Sequence, residues 1–223
     1  MTAAALLLAG LPLYRLLARG AEPALRVAAL PTHPEQEGYL ALLGLAELEP
    51  PGEVERALPG GAHAPDVQGF LAAVRAREEE RAREALDRSA RESPRPAVEA
   101  GCFVLAVESD RPRAYLVLAV ATDGAATRLY PDPASPAAVL PAGRHVLPRP
   151  VIDPGAALPY HPGFVVPLRA GELRAIVAAR DEPPGAGELE ALDRVLERRA
   201  AGIEEWLAER DFEVRTAVLR EPE

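Results

Sequence analysis

The chain has 223 residues, enough for one sizeable core, with 25 basic and 34 acidic residues and a net charge of −9. Apart from histidine every basic residue is arginine, and asparagine is absent; this is the skew of a GC-rich coding genome, so the arginines are no sign of phosphate binding. A lysine-free chain excludes the phosphate-binding lysine of P-loops and kinases and the Schiff-base lysine of pyridoxal enzymes, and the acidic balance argues against nucleic acid as a partner.

Ala3–Tyr14 is almost wholly apolar and is followed by Arg15 and Arg19. The run is about a dozen residues, short of the roughly twenty that span a bilayer, and Pro12 lies inside it. It has the length of a signal-peptide apolar region without the basic residues that precede one. Three readings follow for residues 1–19: a helix buried in a core, a membrane-proximal anchor, and a signal segment. If the run spans a membrane, Arg15 and Arg19 leave the rest of the chain in the cytoplasm.

Ala24–Leu30 reads as a short strand, and Pro31–Pro34 as a break. Leu40, Leu43, Leu45 and Leu48 predict a helix over Tyr39–Leu48, bounded by Pro50 and Pro51. The Pro/Gly-rich joint Pro59–Pro65 leads to Asp66, an N-cap for a long helix with Val67, Phe70, Leu71 and Val74 on one face. Beyond Arg75 the apolar stripe thins to Ala82 and Leu86. There Glu78, Glu79, Glu80, Arg81 and Arg83 predict a solvated face laced with i,i+4 pairs, with a partner-binding helix or a short coiled coil as the alternatives. Ser93–Pro96 closes this helical region, residues 1–96.

From Cys102 the pattern changes to short apolar runs separated by turn signals, which predicts a small antiparallel β-sandwich or barrel. The runs are Cys102–Ser109, Arg113–Ala121, Thr127–Tyr130, Ala138–Leu140, His145–Ile152, Phe164–Arg169 and Glu172–Ala179. Asp110–Pro112 and Asp123–Gly124 as turns make the first three a meander. Both faces of Tyr115–Val120 are apolar, which predicts a central strand. Prolines from Pro131 to Pro167 confine that region to edge strands and ordered loops. After the loop Asp181–Gly187, Leu189, Leu192, Val195, Leu196, Ile203, Trp206 and Leu207 recur at helical spacing until near Arg210. Phe212, Val214, Thr216 and Val218 then alternate as a half-buried strand. The expected fold is α+β: a β-sandwich core with N-terminal helices and a C-terminal amphipathic helix plus strand, residues 97–223 forming the sandwich domain.

Within this region a strand over Tyr115–Val120 is followed by Asp123–Gly124, then by a strand ending in Leu129, Tyr130 and Pro131. Ala142, Gly143 and Arg144 with Leu147 and Pro148 come next, and a Gly-led strand Gly171–Ala179 closes the series. In these features residues 101–181 resemble a bacterial domain-of-unknown-function family. Its members occur appended to Ser/Thr kinases, caspase-like peptidases and envelope or secretion-linked proteins. The resemblance implies a binding or sensing module. The chain differs from the family's pattern at Asp132, where the family often has Asn, and in a Pro-rich insertion over Asp153–Pro162.

Candidate chemistry is sparse. His33, His63, His145 and His161 show no ligand spacing, so neither a metal nor a cofactor is expected. Cys102, the one cysteine, opens an apolar strand and reads as a core residue; a cysteine hydrolase pairing it with His145 or His161 is the enzymatic alternative. Ser109 and Ser135 sit in no nucleophile-elbow frame. Trp206 lies on the apolar stripe of its helix and reads as core. In the proline-rich loop, Tyr160, His161 and Phe164 are the candidate partner-contact residues, set against a loop that only covers a sandwich edge. The expectation is a cytoplasmic, non-catalytic protein-interaction or regulatory subunit. The alternative is an envelope protein associated with a membrane through residues 1–19.

Overall fold

The computed structural model describes residues 25–49, 65–132, 136–152, 160–166, 172–198 and 201–220. The apolar segment 1–19 lies outside these residues, as does His63. Among the described residues no helix is long and apolar enough to cross a membrane.

Two antiparallel sheets stack face to face. Sheet A holds β1 (Leu25–Pro31), β2 (Cys102–Ser109), β6 (Gly143–Leu147) and β9 (Phe164–Val165), with β2 in the middle. Sheet B runs β11 (Glu213–Arg220), β10 (Glu172–Arg180), β3 (Arg113–Ala121), β4 (Ala126–Tyr130), and β5 (Val139–Leu140) also pairs with β3. A small hairpin joins β7 (Val151–Ile152) to β8 (Tyr160–His161). The helices are α1 (Gln36–Leu42), α2 (Pro65–Ser89), α3 (Ala186–Glu197) and α4 (Ile203–Ala208).

The period-2 alternation of strand side chains explains the layering. Phe103, Leu105 and Val107 of β2 meet Tyr115, Val117, Ala175 and Val177 of sheet B in the inter-sheet core. The alternate residues Leu116, Leu118, Ile176 and Ala178 turn outward, and Leu192, Leu196, Ile203 and Leu207 of α3 and α4 cover them. On the far side Ala28, Leu30, Val104 and Ala106 of sheet A lie beneath Ala82 and Leu86 of α2. The order of layers is therefore helix, sheet, sheet, helix, which is an α+β fold with a sandwich core.

The fully buried central strand expected over Tyr115–Val120 is present as β3. Its hairpin to β4 turns at Gly124 (φ 82°), with Asp123 Oδ1 accepting from Ala125 N at 2.9 Å. The meander fails one strand earlier. β2 and β3 belong to different sheets, because the connection at Asp110–Pro112 crosses the sandwich, and β2 pairs with β1 and β6 instead. Ser109 fastens that crossing: its Oγ donates to Arg111 O at 2.7 Å and accepts from Arg111 N at 3.3 Å.

Across the boundary expected at residue 96, β1 pairs with β2 over Phe103–Ser109. His145–Ile152 is not one strand but β6 and β7, interrupted where Pro148 and Pro150 offer no N–H. The helix expected to reach Leu48 ends at Leu42. Gly44 (φ 70°) closes it with Leu45 N bonded to Leu40 O at 2.8 Å and Gly44 N to Ala41 O at 3.0 Å, a Schellman stop. The C-terminal helix is two helices, α3 and α4, because Gly202 adopts φ 83° between them.

Candidate functional site: a buried carboxylate beside a free strand edge

Helix α2 has one side-chain row at i+4 spacing: Phe70, Val74, Glu78, Ala82 and Leu86. Its first half packs with Tyr39 and Leu40 of α1, with Leu43 just past its end, and with Ile152 and Tyr160 of the β7–β8 hairpin. Its second half lies on sheet A. Glu78 occupies the junction, where the row would otherwise carry an apolar residue. It is 6% exposed, the one buried acidic side chain among the described residues.

Two neighbours hold this carboxylate. The Tyr39 hydroxyl donates to Glu78 Oε1 at 2.8 Å, and the Tyr39 ring stacks on Tyr160 at 5.2 Å between centroids. Arg149 Nε stands 3.9 Å from Oε2, a loose contact from a side chain that is itself half exposed. Burial pushes the Glu78 carboxyl above its ordinary value, opposed by the Tyr39 hydrogen bond and the charges of Arg149 and Arg75. Burial also pushes the Tyr39 phenol up, and the nearby Glu78 charge adds to the effect. Next to it the Arg81 guanidinium, lowered by burial, donates to Pro31 O at 3.3 Å.

Beside Glu78 runs an open groove of about 730 Å³ between α2 and β6. Its α2 wall carries Glu78, Glu79 and Arg83, and its β6 wall carries Arg144, Val146 and Arg149. The backbone of β6 lines this groove, and its outer donors and acceptors follow from the register. Thr32 N donates to Cys102 O at 3.0 Å, so the even-numbered residues of β2 bond toward β1 and the odd-numbered ones toward β6. With Val107 opposite His145, the groups of Gly143, His145 and Leu147 bond to β2, and those of Arg144 and Val146 point away. Among the described residues no strand pairs with that outer edge.

The three residues singled out in the proline-rich loop part company. Phe164 is 5% exposed and tilts against Phe103 in the inter-sheet core, which removes it as a surface contact. Tyr160 is half-buried against Tyr39, with its hydroxyl enclosed. Only His161 is exposed, its Nδ1 accepting from Gly163 N at 3.2 Å. Phe164 thus belongs to the core, and Tyr160 belongs to the wall of the Glu78 site.

Cys102 is buried, its thiol pushed up by burial and by the Glu99 charge, and its sulfur lies 3.7 Å from Ala100 O. His145 stands opposite Val107, five residues along β2 from Cys102, or about 17 Å at strand rise. That distance rules out the Cys102–His145 pair, and a buried, protonated thiol is a poor nucleophile. Among the described residues no group of His, Cys, Asp or Glu is arranged to hold a metal. A second charged cluster plugs one end of the sandwich: Arg113, 3% exposed, pairs with Glu213 at 3.0 Å and with Asp181 at 3.5 Å. Those bonds tie β3 to β11 and to the end of β10, so we assign that cluster to structure.

Glu78 was hidden in the sequence inside the run Glu78–Glu80, read as solvated. The signal that finds it is the spacing: a carboxylate four residues from Val74 and four from Ala82 falls on the buried row of the same helix.

No protein-family model, no curated protein and no solved structure matches the chain.

Proposed function

We propose that the chain is a cytoplasmic, non-catalytic interaction or regulatory subunit of a bacterial multi-protein system, which engages its protein partner along the groove between α2 and β6. The observation that carries this reading is the outer edge of β6, which pairs with no strand among the described residues and adjoins an open groove. Native sheets blunt or cover such edges, and an edge left open beside a cleft is a ready template for a partner. The resemblance of residues 101–181 to a family of appended binding or sensing modules points the same way.

The test is site-directed photocrosslinking in native cells, with the reactive residue at position 144 and a control at Glu190, an exposed position on α3. One crosslinked protein from position 144 and none from position 190 is the expected result. A chain that crosslinks to nothing at position 144, or equally at both positions, overturns the assignment.

A further inference from the structure

We infer that the groove takes an extended peptide segment of the partner, added as a strand to the outer edge of β6 and anchored by an arginine or lysine side chain on Glu78. This rests on the interaction reading above and gives its partner a chemistry.

Two independent features converge on this occupant. The first is the backbone: Arg144 and Val146 direct N–H and C=O groups into the groove, so a strand laid alongside finds main-chain partners at alternate residues. Such a strand runs about 4.8 Å from β6, and every second side chain on it turns toward α2. The second feature is the floor those side chains meet. Arg144, Arg149, Arg83 and Glu79 are all exposed on the groove's rim, where charges steer encounter more than they hold a complex. Arg144 is also engaged, 3.6 Å from Glu108. Glu78 is the buried charge, with one oxygen taken by Tyr39 and the other in a loose ion pair with Arg149 at 3.9 Å, while Arg75 and Arg81 act on it through their charges from further off. A cationic side chain entering the groove replaces that loose contact with a close one, and it neutralises a carboxylate already removed from water. An acidic side chain would add a second anion beside the first.

A second copy of this chain, pairing β6 to β6, would use the same backbone groups. It places Arg144 of each copy opposite Val146 of the other, and that arginine is already engaged with Glu108 at 3.6 Å, so the peptide accounts for more of the site.

The test uses the full chain and a displayed pool of octapeptides with Thr or Val at odd positions and any residue at even positions. Wild-type protein is expected to enrich Arg or Lys at one even position. Glu78→Gln, checked for an unchanged fold by its melting curve, should lose that enrichment and weaken the winning peptide about tenfold or more. Arg144→Pro removes one edge N–H and should abolish binding. Should that variant fail to fold, N-methylation of alternate amides in the winning peptide removes the same bonds and should abolish binding too. Enrichment of Asp or Glu, an absence of charge preference, or full affinity in Glu78→Gln overturns the proposal. So does a chain that binds no peptide and dimerises through β6 in light scattering. If position 144 still crosslinks to a partner while the pool yields nothing, this inference falls and the interaction reading stands; if both fail, both fall.

Discussion

The outer faces of the two sheets are covered by helices in two different ways. On sheet B, Leu116, Leu118 and Ile176 meet Leu192, Leu196, Ile203 and Leu207, large branched side chains on both sides, and the partly buried Trp206 closes the rim beneath the Arg210 guanidinium at 3.9 Å. On sheet A, α2 contributes Ala82 and Leu86 over Ala28, Leu30, Val104 and Ala106, then places Glu78 next, where the groove opens toward β6. Both helix layers sit on strands of the same sandwich. What differs is the size of the buried side chains and a charge in the row. One face is built for cohesion, and the other gives up cohesion where the groove opens.

This contrast orders the expected effects of substitutions. Leu118→Ala empties a site surrounded by branched side chains from two strands and two helices, and should cost near the top of the range of about 2–5 kcal/mol for such truncations. Leu86→Ala, equally buried but in a cluster where Ala28, Ala82 and Ala106 stand beside only Leu30 and Val104, should cost near the bottom of that same range of about 2–5 kcal/mol. Urea unfolding of both variants checks the ranking, and an equal or larger loss for Leu86→Ala breaks it.

Next in size is Gly163, which has φ 93° just before β9. A Cβ there would stand 2.6 Å from Phe103 O and 2.6 Å from the Val104 side chain. The left-handed backbone alone costs a non-glycine residue about 1–3 kcal/mol, and the clash adds to it. Gly163→Ala should therefore lower the melting temperature and loosen β9 from β2, seen as faster amide exchange at Val166, whose N–H bonds to Gly101 O at 3.1 Å.

Tyr39→Phe follows, and its effect depends on pH. The Glu78 carboxyl titrates above its ordinary value of 4.5 in the folded chain, so between those two values the folded state holds more protons than the unfolded one. Stability therefore falls as pH rises through the folded value, and the penalty is absent below 4.5. The groups facing Glu78 are the Tyr39 phenol, Arg149, Arg75, Arg81 and Glu79, and of these Tyr39 supplies the direct hydrogen bond. Removing its hydroxyl should cost about 1–3 kcal/mol at neutral pH, the penalty for a buried acceptor left unpaired. The difference between the two proteins should shrink as Glu78 protonates in acid. Chemical unfolding at a series of pH values checks the sign, and a gap that widens in acid contradicts it.

How much of this was legible in the sequence follows from the range of each signal. Strand ends at Cys102, Ser109, Arg113 and Ala121 are set by local alternation and turns, and they were read to the residue. Which sheet a strand joins is a long-range matter. The turn after Ser109 looks like a hairpin and is a crossing, because β1, some seventy residues upstream, takes the place beside β2 that the meander gave to β3. Helix breaks at Gly44 and Gly202 were visible as glycines, but the apolar periodicity runs through both and masks them. The groove was the least legible part. Glu78 carries its burial in its spacing, whereas the free edge of β6 depends on how β2 bonds to β1, which no local pattern encodes.

The smallest expected effect belongs to His161. It is exposed, makes one local bond to Gly163, and sits on the hairpin whose inner residue, Tyr160, walls the Glu78 site. Replacing it with alanine should change stability by no more than about 0.5 kcal/mol, the usual range for surface positions. Its value lies in what it separates. If partner capture at position 144 survives His161→Ala at full strength, recognition is confined to the groove between α2 and β6. If capture weakens while the melting temperature stays put, the contact surface extends from the groove onto the β7–β8 hairpin, and the edge of β6 is only one portion of a larger interface.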